Sequence, residues 1–141
     1  MLAMINITKE TSVSIDDVLH LYQAVGWTNY TNQPQMLEQS LAHSLAIYVA
    51  RDGEEIVGLV RLVGDGFSSV FVQDLIVLPS YQRQGIGSDL MKEALGDFKD
   101  AYQVQLATEQ TEKTLGFYRS LGFETLSTYD CTGMIWVDRK K

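Results

Sequence analysis

Gly85 and Gly87 close the run Asp74-Leu75-Ile76-Val77-Leu78-Pro79-Ser80-Tyr81-Gln82-Arg83-Gln84-Gly85-Ile86-Gly87-Ser88, in which an apolar strand passes through a short loop straight into a helix. Glycine has no Cβ, so a ligand can approach the backbone closely at both positions. The first amides of a helix have no partner within it, and the macrodipole is positive at that end. Together these features make a cradle for an anion such as a pyrophosphate. The plain alternative is a glycine-rich helix start without a ligand, but the preceding Gln-Arg-Gln and the strand-to-helix spacing weigh against it. Two other phosphate loops do not fit. A Rossmann fingerprint needs a third small residue where Leu90 stands, and a Walker loop needs Gly-Lys-Ser/Thr, which is absent.

Asp74 interrupts an otherwise apolar strand. A buried carboxylate is costly unless it is paired or useful. Strict alternation places Asp74 on one strand face with Val72 and Ile76, toward the core or a cleft. A general base working directly or through water, an anchor for a substrate ammonium, and a carboxylate satisfied by backbone N–H groups or a nearby arginine are all consistent with that placement. His20 and His43 lack a carboxylate or cysteine at ligand spacing, so no metal site is expected. Cys131 has no base or partner in the sequence and reads as incidental.

The elements that must position these groups follow from pattern. Asn6 to Lys9 reads as a first strand. Ser14 is a fitting N-cap for a helix carrying Ile15, Val18, Leu19, Tyr22 and Val25, closed by Gly26. After Trp27 a polar stretch, Thr28 to Gln33, reads as a loop, and Pro34 opens a second helix with Met36, Leu37 and Leu41 on one face. Leu45 to Arg51 and Glu55 to Val63 form a hairpin about Asp52-Gly53. Ser69 to Leu78 is a third long strand. The glycine loop then leads to a helix burying Leu90, Met91, Ala94, Leu95 and Phe98. Gln103 to Ala107 is a strand, Gln110 to Leu121 a helix closed by Gly122, and Phe123 to Leu126 and Gly133 to Val137 two last strands. The expected architecture is α/β (α+β): one domain over residues 1–141, with a mixed sheet of six to seven strands flanked by about four helices.

Composition narrows the partners. The chain has 141 residues, 45% of them hydrophobic, enough for one well-buried core. Its net charge of −7, with lysines and arginines clustered only at Arg139-Lys140-Lys141, lacks the basic footprint of a nucleic-acid binder. The acidic balance favours cationic small molecules. No apolar run approaches a membrane span, and no signal peptide is evident. A single cysteine excludes an internal disulfide and fits a reducing compartment, so a cytoplasmic location is expected. Asp138 to Lys141 read as a polar tail.

The run LPSYQRQGIGSDLM resembles the acetyl-CoA-binding motif of the GNAT superfamily of N-acetyltransferases, Arg/Gln-x-x-Gly-x-Gly/Ala, with Gln82, Gly85 and Gly87 at its fixed positions. Gly116-Phe117-Tyr118-Arg119-Ser120-Leu121-Gly122-Phe123-Glu124 resembles a second segment of that family. Gly26-Trp27, the DLIVLPSYQRQGIG run and Gly133-Met134-Ile135-Trp136 look most like bacterial relatives of plant serotonin N-acetyltransferases. The resemblance implies acetyl-CoA as cosubstrate. Its pyrophosphate would lie on the amides of Gln82, Arg83, Gln84, Gly85, Ile86, Gly87 and Ser88. Its pantetheine arm would pair with Leu75, Ile76 and Val77, beside a bulge, with Phe117 nearby. It also implies Tyr118 as the general acid that protonates the departing thiolate, where a helical tyrosine alone would more simply be packing. Asp74, Trp27, Tyr30 and Tyr81 would then line the acceptor site, and an aromatic roof would suit an arylalkylamine. Where the family often has an asparagine before the Tyr118 helix, this chain has Glu109-Gln110-Thr111-Glu112. The implied activity is acetyl transfer to a small-molecule amine in a ternary complex. A peptide or protein acetyltransferase and a non-catalytic acetyl-CoA sensor are the competing readings. Dimer formation through C-terminal strands with an exposed Trp136 follows from the same resemblance.

Overall fold

The computed structural model describes residues 4–138. The chain divides into two compact units, residues 1–106 and 107–141. The first contains a single five-stranded sheet in the order β1 (Ile5–Glu10), β2 (Ala46–Asp52), β3 (Glu55–Gly64), β4 (Ser69–Val77) and β5 (Gln103–Leu106). The first four strands run antiparallel to their neighbours, and β5 lies parallel to β4. Between β1 and β2 come helices α1 (Ile15–Ala24), α2 (Thr28–Thr31) and α3 (Pro34–Ala42). Between β4 and β5 comes α4 (Ile86–Asp97), the crossover a parallel pair requires. The second unit contains α5 (Glu112–Ser120) and a 3₁₀ turn, Leu126–Tyr129.

Each face of the sheet is buried by its own helices. Val18, Leu21 and Tyr22 of α1 and Leu37 and Leu41 of α3 pack with Ile47, Val49, Leu59 and Ile76. On the opposite face α4 comes so close to β3 that a Cβ on Gly58 would lie 3.2 Å from Leu90 Cδ1 and 3.4 Å from Ile86 Cγ2. The Tyr48 hydroxyl donates to Asp97 of α4 at 2.6 Å on that side.

Register explains how polar groups enter the first face. Arg61 pairs with Asp74, but its neighbour Leu62 pairs with Val72, so Gln73 is an extra residue in β4. Residues paired across a ladder share a face, and consecutive residues of a regular strand alternate faces. Val72 therefore lies with Leu62 on the α4 face, while Asp74 and Ile76 lie with Arg61 and Leu59 on the α1/α3 face. This corrects the shared face expected for Val72 and Asp74: a bulge re-aims side chains in a way strict alternation cannot anticipate.

Three further expectations change. The sheet has five strands, not six to seven. The two missing strands are Phe123–Leu126 and Gly133–Val137, and the first spends its backbone groups locally: Phe123 N–H bonds Tyr118 O, and Cys131 N–H bonds Leu126 O. No described strand pairs with residues 133–137, and Met134, Ile135, Trp136 and Val137 are exposed. Thr28 to Thr31 is a short helix rather than a loop. Ser14 has the extended backbone of an N-cap (φ −84°, ψ 153°), but its side chain makes no cap hydrogen bond. The basic terminus from Arg139 onward lies outside the described residues.

Candidate functional site

β5 accompanies β4 only from Ser69 to Val72. From Asp74 to Val77, β4 is paired with β3 alone, and from Gln73 onward its other edge carries no described strand. This edge begins at the bulge and runs into the glycine loop. Pro79–Tyr81 forms one 3₁₀ turn, after which the Gln82 side chain donates to the Val77 carbonyl at 3.0 Å and ties the loop to the strand end. Arg83 takes φ +65° and Gly85 φ +82°, two left-handed residues that turn the chain sharply before α4. Asp89 N–H reaches back to Gly85 O, so the amides of Ile86, Gly87 and Ser88 form the open end of the helix. A Cβ on Gly85 would meet nothing within 4 Å, so the loop faces open space.

A buried polar network lies beside the bulge. Arg61 and Asp74 are the buried charged residues among those described, 4% and 3% exposed. Asp74 Oδ2 accepts from Arg61 Nε at 2.7 Å and from the Tyr22 hydroxyl at 2.8 Å; Oδ1 accepts from the Tyr30 hydroxyl at 2.9 Å. Arg61 also donates to Tyr30 Oη at 3.2 Å, Ser44 Oγ at 3.2 Å and Ser40 O at 3.4 Å. Burial works against the Arg61 charge, but Asp74 more than restores it and holds the guanidinium protonated. Burial, followed by the Asp74 charge, pushes the Tyr22 and Tyr30 phenols up. Each carboxylate oxygen is thus engaged by donors within the protein.

The network floors a cleft of about 400 Å³ between α2, α3, β3 and β4. Its polar lining is Asn29, Tyr30, Ser40, His43, Arg61 and Gln73, and Met36 and Val63 supply the apolar wall. His43 Nδ1 lies 2.8 Å from the Gln39 carbonyl, so it donates there and leaves Nε2 available.

The structure brings Tyr30, Asp74 and Gln73 together at this cleft and places the other expected acceptor residues elsewhere. Trp27 packs against the core, its ring 6.1 Å from Tyr22 and 6.3 Å from Tyr30. Tyr81 donates to Asp52 Oδ2 at 2.6 Å at the end of the β2–β3 hairpin and is not among the residues lining the cleft. His20 Nε2 lies 2.7 Å from the Ile56 carbonyl, which accounts for this half-buried imidazole. Among the described residues no three histidine, cysteine or acidic groups gather as a metal site would need. Arg61, Tyr22, Asn29, Gln73 and His43 were not expected at the site. Arg61 left a signal, since it interrupts the apolar run of β3 as Asp74 interrupts that of β4.

In the second unit, Tyr118 lies on α5, its ring 5.0 Å from Phe117 and 5.9 Å from Phe123. Burial pushes its phenol above the ordinary value, against a smaller opposing effect of Thr108. Thr111 caps α5, accepting from Thr114 N–H at 3.2 Å.

A sheet splayed beside a bulge and a glycine loop opening a helix are the marks of an acetyltransferase architecture. The profile described as "Acetyltransferase (GNAT) domain" matches residues 43–125, and the chain belongs to that family. A GNAT-family acetyltransferase of Streptococcus pneumoniae superposes with a TM-score of 0.90 at 76% identity, over 96% of this chain and 99% of that one. Serotonin N-acetyltransferase 2 of Oryza sativa, a chloroplastic protein, is 26% identical over 117 residues, 80% of this chain and 58% of its own length. GCN5-related N-acetyltransferase 1 of Arabidopsis thaliana, also chloroplastic, is 26% identical over 92% of this chain and 65% of its own length. The chain thus spans about three fifths of these plant relatives. The fold is shared with an N-acetyltransferase of Thermoplasma acidophilum solved with coenzyme A (TM-score 0.65, 19% identity, 85% and 91% coverage).

Proposed function

We propose that the protein transfers an acetyl group from acetyl-CoA to the amine of a small molecule, directly, in a ternary complex. The observation that carries this reading is the unpaired β4 edge from Gln73 to Val77 running into the Gln82–Ser88 loop. An extended arm can add to such an edge by strand-like hydrogen bonds, and the open helix start suits a pyrophosphate. The residues fit the cosubstrate. Backbone groups of Leu75, Ile76 and Val77 would hold its arm, and the amides from Gln82 through Gln84, Gly85, Ile86, Gly87 and Ser88 its phosphates, with Phe117 and Arg83 as further contacts.

Acetyl-CoA supplies an acetyl group already activated as a thioester. A backbone N–H of the Leu75–Val77 edge polarises the acetyl carbonyl, an oxyanion-type role. The amine attacks as the free base; the Tyr118 phenol, kept protonated by burial, gives its proton to the sulfur as the carbon–sulfur bond breaks, and the proton lost by the new amide nitrogen restores the phenol through solvent. Of the three roles open to Asp74, we take the carboxylate satisfied by an arginine: with both oxygens engaged it serves as a positioning residue that fixes Arg61 and Tyr30 at the cleft floor. A cleft of about 400 Å³ suits a small acceptor better than a peptide. On this reading residues 1–141 are one N-acetyltransferase domain, acting in the cytoplasm, with homodimer formation by way of the C-terminal segment.

A thermal melt tests the cosubstrate. Acetyl-CoA at ~100 times its Kd is expected to add about 2.7 kcal/mol, several degrees in Tm, and more than NADH or ATP adds. No shift at millimolar acetyl-CoA would overturn the reading.

A further inference from the structure

The cleft's donors and acceptors are unevenly balanced. Asn29 and Gln73 present side-chain amide N–H groups and Arg61 a guanidinium, while the Ser40 hydroxyl is spent on the Met36 carbonyl and the His43 Nδ1–H on the Gln39 carbonyl. No carboxylate lines it: Asp74 lies beneath, its oxygens occupied by Arg61, Tyr22 and Tyr30. The four hydrogen bonds Arg61 makes leave one of its five N–H donors for a ligand. A cationic group lodged here would meet a guanidinium and find no counter-carboxylate, whereas an anionic group would meet that guanidinium and the Asn29 and Gln73 amides. The net charge of −7 does not reverse this preference. Charges beyond about 8–10 Å are largely screened at physiological salt, while contacts within the cleft are not.

From this we infer that the cleft recognises a carboxylate on the acceptor, so that the acetylated molecule is an amino acid or a similar amine-bearing acid, and not a polyamine or a simple arylalkylamine. The inference rests on the acetyltransferase reading and deepens it. The geometry suits the reaction: Gln73 belongs both to the cleft lining and to the start of the unpaired β4 edge, so an acid held by the cleft keeps its amine beside that edge. Met36 and Val63 leave room for an apolar side chain.

The test measures coenzyme A release by the full chain with saturating acetyl-CoA. The panel comprises the twenty amino acids, the decarboxylated amines that correspond to them (tyrosine against tyramine, tryptophan against tryptamine) and spermidine. The expected result is at least one amino acid whose kcat/KM exceeds that of its decarboxylated partner by about tenfold or more, the scale of a lost charge-assisted contact. Asn29→Leu and Gln73→Leu should each shrink that ratio. Equal or better turnover of the decarboxylated amines would overturn the inference and leave the acetyltransferase reading standing. So would an acetyl-CoA melt shift with no turnover of any amino acid. Absence of both the melt shift and turnover would overturn the two together.

Discussion

Arg61→Met is expected to lower stability by about 3–5 kcal/mol, because it strands the Asp74 carboxylate in the core without its cation. For a domain of this size that is a fall in Tm of roughly 10–20 °C. Tyr22 and Tyr30 still donate to Asp74, but two neutral phenols do not replace a guanidinium at 2.7 Å. The double variant Arg61→Met/Asp74→Leu should recover part of the loss, since replacing both members of a buried pair by apolar groups removes the uncompensated charge. Recovery will be incomplete, as both phenols then lose their acceptor, at about 1–3 kcal/mol each. Urea unfolding of the four proteins in the cycle measures the coupling. A coupling energy near zero between the two substitutions would show that the pair does not carry the stability assigned to it.

Tyr118→Phe is expected to slow turnover at least ~10-fold while leaving the acetyl-CoA melt shift intact, because the change removes a proton donor and keeps the ring. The pH profile adds a second check. Burial raises the phenol above its ordinary value, so the donor stays protonated through neutral pH. Acid loss in kcat should therefore begin only above about pH 10, and should be missing from the variant. Unchanged turnover would take Tyr118 out of the mechanism.

What could be read from sequence was whatever short-range chemistry decides. Pro34 at the first turn of α3, Asp52-Gly53 between β2 and β3, and the glycine loop opening α4 all stand where expected. Each is set by backbone restrictions of a residue or two. The last two strands were misread because strand propensity means little without a neighbour to pair with, and Phe123 and Cys131 satisfy their amides in local turns. The charges of Arg61 and Asp74 were visible as interruptions of apolar runs. Their pairing was not, because it depends on a register that slips by one at Gln73, a property of two strands and not of either alone. Tyr22 read simply as a helical core residue; only the packing of α1 over the sheet brings its hydroxyl to a carboxylate 52 residues away.

The bulge at Gln73 also governs which sequence changes this chain can survive. Gln73 is an extra place in the count, and its side chain is exposed, so many residue types can stand there without loss of folding. Removing it would give unbroken alternation with every side chain on its present face: Val72 stays toward α4, and Asp74, now next to it, stays with Ile76 on the α1 and α3 side, opposite Arg61. Along β4, then, point replacement and length change are under different constraints. A scan of single substitutions against single deletions over residues 70–77, scored by soluble yield, should find position 73 permissive in both sets, and positions 71 and 75 intolerant of deletion.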